Sequence, residues 1–142
     1  MPRIEVPLYI PAPADSGTAE IRVQLHGFTD FYPGDDHRVY AELNGYTIGT
    51  AISWDGLNPV VLIADVDQWM LNPDGNNILT VNSSQGGQFL DSVSVIYDRW
   101  PVAENDQLWM RNVESGIQEV AGFTGSDIFV IESPVRNAVR HK

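Results

Sequence analysis

Three observations predict an all-β chain, a jelly-roll-like antiparallel β-sandwich. Apolar residues alternate with period two along about ten short runs. Turn-forming clusters (PADSG, YPGDD, NG, WDG, NPDG, SSQGG and FTGS) separate those runs at the spacing usual in two-layer all-β folds. No long helical pattern interrupts them.

RIEVPLYI (3–10) and AEIRVQLHGF (19–28) alternate cleanly and open the sandwich. HRVYAEL (37–43) and YTIGTAIS (46–53) flank Asn44-Gly45, a pair suited to a two-residue type I′ turn because both residues must take φ > 0. That turn sets Leu43 opposite Tyr46, Ala41 opposite Ile48 and Val39 opposite Thr50. Those six residues share one face, which Ile52 and Trp54 continue. Tyr40, Glu42, Thr47 and Gly49 fall on the other. Trp54 is read as an aromatic of the core or its rim, and Asp55-Gly56 as the turn that closes it.

PVVLIADV (59–66) is the next strand, and DQWML (67–71) reads as one helical turn crossing between sheets. NPDG (72–75) suits a type I turn with Pro73 at its second position, and it leads into NILTVNS (77–83). In FLDSVSVIYDRW (89–100), Val93, Val95 and Tyr97 alternate with Ser92, Ser94 and Ile96. Asp91 lies on the Val93 side. It is read as bracing loop amides, with an exposed strand start or a nearby cation as the other readings. Trp100 is expected to plug the end of the sandwich. DQLWMRN (106–112), QEVAGF (118–123) and DIFVIES (127–133) supply the last strands, and 135–142 form a polar tail that includes His141. One domain, 1–142, is expected.

Its 142 residues suffice to bury a core without metal or disulfide staples. With no cysteine, thiol catalysis, thiolate metal sites and disulfides are excluded. A net charge of −11 repels phosphate backbones and anionic bilayers, so no nucleic-acid partner is expected. No apolar run approaches the ~18 residues of a spanning helix, so no membrane insertion is expected. The start, MPRIEVPLYIPAP, lacks the apolar stretch of a signal peptide.

Two constellations carry candidate chemistry. TDFYPGDDH (29–37) places Asp30, Asp35 and Asp36 in one loop, hard oxygen donors of the kind Ca²⁺ takes, with His37 as a partner for those acids. A structural Ca²⁺ is therefore a candidate cofactor. The second constellation is aromatic. A pyranose stacks its C–H face on an exposed ring while neighbouring polar groups orient its hydroxyls. Tyr40 and Glu42, on the non-core face of the hairpin, are candidate ligand-binding residues, with Trp69 and Trp109 beside them. Catalysis is not expected. Ser126 lies in a turn without the flanking glycine pattern of a nucleophile elbow, no H-E-x-x-H occurs, and no carboxylate pair is singled out.

The motifs LNGYTIGTAISWDGL, NNILTV, FLDSVSVIYDR, AENDQLWM and VAGFTGSDIFVIESP occur in that order. In this order the chain resembles the β-sandwich region that precedes the catalytic domain in gingipain-type cysteine peptidases, copies of which occur in other large exported bacterial proteins. The matching elements are Leu43 to Gly45, Trp54 to Gly56, Leu90 to Arg99, Asn105 to Leu108, Val120 to Ile128 and Glu132 to Pro134, and the resemblance covers roughly 17–134. It implies a jelly-roll-like accessory domain of an exported bacterial protein, secreted or at the cell surface, that packs beside or presents a neighbouring domain. Peptidase activity does not follow, because the family's dyad needs a cysteine. The alternative reading is a carbohydrate-binding module with a glycan as partner. A hydrolase working through carboxylates ranks third.

Overall fold

Seven strands fill the first hundred residues: β1 (Arg3–Tyr9), β2 (Thr18–Gly27), β3 (His37–Leu43), β4 (Tyr46–Trp54), β5 (Pro59–Asp67), β6 (Asn76–Gln85) and β7 (Gln88–Ile96). A 3-10 turn, Gln68–Met70, is the one helical element among the described residues. The computed structural model describes residues 2–31, 33–111 and 115–131. The chain divides into two units, Met1–Trp100 and Pro101–Lys142.

In the first unit the strands form two antiparallel sheets, one of four strands in the order β1-β6-β3-β4 and one of three in the order β5-β2-β7. Apart from the β3–β4 hairpin, every connection crosses from one sheet to the other, as in a jelly roll. The all-β, jelly-roll-like antiparallel sandwich read from the sequence is the fold. Alternation decides what lies between the layers: Ile21, Val23 and Leu25 from β2, Val39, Ala41 and Leu43 from β3, and Leu62, Leu79 and Val81 from β5 and β6 are buried. Each buried Val, Leu or Ile side chain contributes about 1.5–3 kcal/mol by leaving water. Trp54 is buried at the core's edge, as expected.

The Asn44-Gly45 turn forms with φ of 50° and 87°. Leu43 faces Tyr46 and Ala41 faces Ile48, but Val39 faces Ile52 and not Thr50. The register slips because β4 bulges at Gly49, where φ is +61° and an added Cβ would sit 2.9 Å from the Ala64 Cβ. A glycine there lets the edge of one sheet close against the edge of the other. A second bulge corrects the reading of Asp91. Ser92 faces Gln24 and Leu90 faces Leu25, so Asp91 is the extra residue between them. It is exposed to solvent, which satisfies its charge without a loop amide.

The crossing turn at 67–71 is the expected one, and its anchor is Gln68. This buried amide donates from Nε2 to the carbonyls of Ala14 (2.9 Å) and Asp98 (3.0 Å), and its Oε1 accepts the Asp98 N–H at 2.6 Å. The NPDG turn closes with the Gly75 N–H on the Asn72 carbonyl at 2.9 Å. Trp100 is exposed and plugs nothing in this unit.

In the second unit the runs at 106–112, 118–123 and 127–133 form no strand among the described residues. Period-two alternation marks a chain that can extend, but a ladder needs a partner, and here only isolated bridges form, such as Val102 with Ala121. Asn112, the Glu132–Pro134 motif and the 135–142 tail with His141 lie outside the described residues. What holds this unit is local. Asn105 and Asp106, with φ of 51° and 59°, make a left-handed turn inside a Glu104–Gln107 bridge. The Asp106 carboxylate then accepts both the backbone N–H and the hydroxyl of Thr124, each at 2.6 Å. Those bonds hold the Asp106 carboxyl below its ordinary pKa, the hydroxyl bond contributing most.

Candidate functional site

Because Gln68 points inward and is anchored, its neighbour Trp69 points outward and is 63% exposed. Across from it stands Tyr46, the first residue after the hairpin turn. The alternation assigns Tyr46 to the core face, yet it lies past the end of the core and is exposed. The two rings meet edge to face, with centroids 6.0 Å apart and an interplanar angle of 75°. Trp69 Nε1–H leans on Asp67 Oδ2 at 3.4 Å. Next to Asp67 a recess of about 440 Å³ runs along the β4–β5 edge, lined by Thr18, Thr47, Gly49, Asp65 and Met70 among others. Neither ring lines this recess; Asp67, which does, is the residue that links it to the exposed aromatic pair. The turn beneath is fixed, since Asn44 Nδ2 donates to the Met70 carbonyl (2.9 Å) and to Asn77 Oδ1 (2.8 Å).

At the opposite end of the sandwich the carboxylates of Asp30, Asp36 and Asp55 converge, with oxygens within 4.8 Å of one another. Asp36 is buried: its Oδ2 accepts the Phe31 N–H at 3.3 Å and its Oδ1 the Gly56 N–H at 3.0 Å. His37 Nε2 lies 3.1 Å from that Oδ1 and 3.0 Å from the carbonyls of both Thr29 and Gly56. Three acceptors around one nitrogen require it to carry the hydrogen. The imidazole stacks on Trp54 with centroids 4.6 Å apart. Three converging carboxylates supply part of the six to eight hard oxygens that Ca²⁺ takes, and the donor set contains no soft ligand.

No protein-family model matches the sequence, and no curated protein matches it either. Among solved structures, the C-terminal domain of EclA, described as a sugar-binding protein, superposes with a TM-score of 0.50 at 12% identity over 66% of this chain and 65% of that one. A family 35 carbohydrate-binding module from Clostridium thermocellum superposes with a TM-score of 0.43 at 17% identity, over 68% of this chain and 70% of that one. The likeness is one of fold. The chain spans just under two thirds of the length of the EclA domain.

Of the residues singled out from sequence, Tyr40 and Glu42 do project from the outer face of the four-stranded sheet, both half-buried, beside Asn82 and Thr80 of β6. Trp69 is placed instead with Tyr46. Trp109 belongs to the second unit and is 86% exposed. Asp30 and Asp36 come together, but the third member of their cluster is Asp55; Asp35 is exposed in the same loop, where its carbonyl accepts Gln85 Nε2 at 3.2 Å. Asp55 and Tyr46 carried no signal of their own. Both depend on strand register, Tyr46 on where the core ends and Asp55 on the β4 bulge.

Proposed function

We propose that the sandwich is a carbohydrate-binding module whose sugar platform is the Trp69–Tyr46 pair. The observation that carries this reading is the exposure of Trp69 beside Tyr46, with Asp67 against the indole and leading into the recess that Asp65, Thr18 and Thr47 help to line. A pyranose laid on the indole buries its C–H face, and the carboxylates and hydroxyls accept and donate to its ring hydroxyls. The sugar-binding description of the EclA domain supports the reading, as does a surface whose chemistry needs no catalytic group. Calcium at Asp30, Asp36 and Asp55 is assigned a structural role. It neutralises three neighbouring carboxylates and ties together the loops that carry them. Addition of calcium to chelator-treated protein is then expected to raise the melting temperature by a few degrees. Asp55→Asn is expected to remove most of that rise, as read by thermal unfolding.

Native affinity electrophoresis against soluble plant, bacterial and algal polysaccharides, with calcium present, tests the binding reading. Retardation by at least one polymer is expected. Unretarded migration across the panel refutes it.

A second reading, docking on a neighbouring domain of an exported, cell-surface protein, is favoured by one observation. Phe129, Val130 and Ile131 are 91%, 91% and 89% exposed, a consecutive apolar stretch that water disfavours.

A further inference from the structure

The outer face of β1 and β6 carries a cleft of about 530 Å³ that neither Trp69 nor the acidic cluster enters. This volume is within the range of small-molecule sites. We infer that this cleft is a second saccharide site, one that takes an uncharged sugar unit. The inference rests on the carbohydrate-binding reading and adds a separate place for binding.

Alternation along β1 turns Ile4, Val6 and Leu8 toward the core and leaves Arg3, Glu5, Pro7 and Tyr9 outside. Tyr9 is paired in register with Asn76, and Pro7 with Ile78. Tyr9, Pro7 and the exposed Ile78 therefore give the cleft an apolar wall with an aromatic at one end. The Tyr9 ring is held against the NPDG turn: a Cβ added at Gly75 would come 2.8 Å from its Cε2. The ring is thus placed before any ligand arrives, which lowers the ordering cost of binding.

The polar groups are disposed for orientation. Asn72 donates from Nδ2 to the Asn76 carbonyl at 2.7 Å, which leaves its Oδ1 as an acceptor on the cleft. At the far end Arg3 pairs with Glu5 at 2.6 Å, so the local charges cancel while both retain hydrogen-bonding capacity. Register sets Arg3 and Tyr40 on either side of Asn82. Asn82 is 7% exposed, and its Nδ2 finds no acceptor among the described residues. An unmet buried donor beside the cleft is the kind of group that a ligand hydroxyl or a bridging water satisfies.

Charge selects the class of sugar. The chain carries a net −11, and the cleft's single cation is already paired, so a uronate or sulfated sugar meets repulsion without a compensating site. A neutral hexose or pentose unit meets none.

The test uses the full chain and affinity electrophoresis in barley β-glucan, xylan and galactomannan, with polygalacturonate as the anionic probe. For the neutral polymer that retards the wild type most, Tyr9→Ala is expected to weaken binding about tenfold, as Trp69→Ala does. Tyr9→Phe should keep it, and the double variant should lose it. Melting curves check that each variant is folded, and a Tyr9→Ala chain that fails to fold is replaced by Asn72→Ala, expected to lose severalfold. If Tyr9→Ala and Asn72→Ala both bind as wild type while Trp69→Ala does not, the cleft is not a site and the platform reading stands. If Tyr9→Ala loses binding and Trp69→Ala does not, the cleft is the site and the platform reading fails. Retardation by polygalacturonate that depends on Tyr9 overturns the neutral-sugar assignment, and absence of any retardation overturns both.

Discussion

Around the Asp36 carboxylate three donors meet at one end of the sandwich, the loop amides of Phe31 and Gly56 and Nε2–H of His37 at the start of β3. Asp36→Ala leaves buried donors without an acceptor, each costing about 1–3 kcal/mol. Urea unfolding is expected to report a loss of about 3–5 kcal/mol. Asp36→Asn keeps one acceptor oxygen and is expected to lose less. The same site explains Gly86. Its φ is +74°, and a Cβ there would lie 2.4 Å from both the Asp36 carbonyl oxygen and His37 Nδ1. Gly86→Ala therefore combines backbone strain with a collision against a packed ring, and a loss of about 3 kcal/mol is expected in the same experiment.

At the scale of the element, turns carry the electrostatics. Asp74 accepts the Asn76 N–H at 2.9 Å, and with the Asn76 side chain this holds its carboxyl below the ordinary 3.8. A folded pKa below the unfolded one stabilises the fold at pH above the unfolded value, and that contribution is lost as pH falls through the folded one. Carboxyl titration by NMR is expected to place the midpoints of Asp74 and Asp106 below 3.8. Asn76→Pro, which deletes the donating N–H, should raise the midpoint of Asp74. Hairpins were legible in the sequence because turn chemistry is local: Asn-Gly dictates its own φ values, and alternation assigns the faces. Bulges were not, since their cause lies across the sandwich, as with Ala64 against Gly49. That omission hid the acidic cluster. The extra residues in β4 move Trp54 opposite His37, and Asp55 thereby comes beside Asp36 in place of Ser53. Over residues 106–111 and 115–131 the same alternation produced no strand, because alternation does not supply the partner that a ladder needs.

At the largest scale, the proposed ligand groups of the jelly-roll-like sandwich lie on places the core does not use, an edge recess near Trp69 and an outer sheet face at Tyr9. A net charge of −11 repels anionic polymers. Binding through stacking and neutral hydrogen bonds is expected to change little between low and high salt, whereas charge-driven retention falls steeply. Titration calorimetry of wild type and Trp69→Ala with the polysaccharide that retards the protein most is the most direct test. Removal of the indole is expected to cost about 1–1.5 kcal/mol, roughly a tenfold loss of affinity, with Trp69→Phe intermediate. Equal affinity in a folded Trp69→Ala protein would contradict the assignment of the platform to this pair of rings.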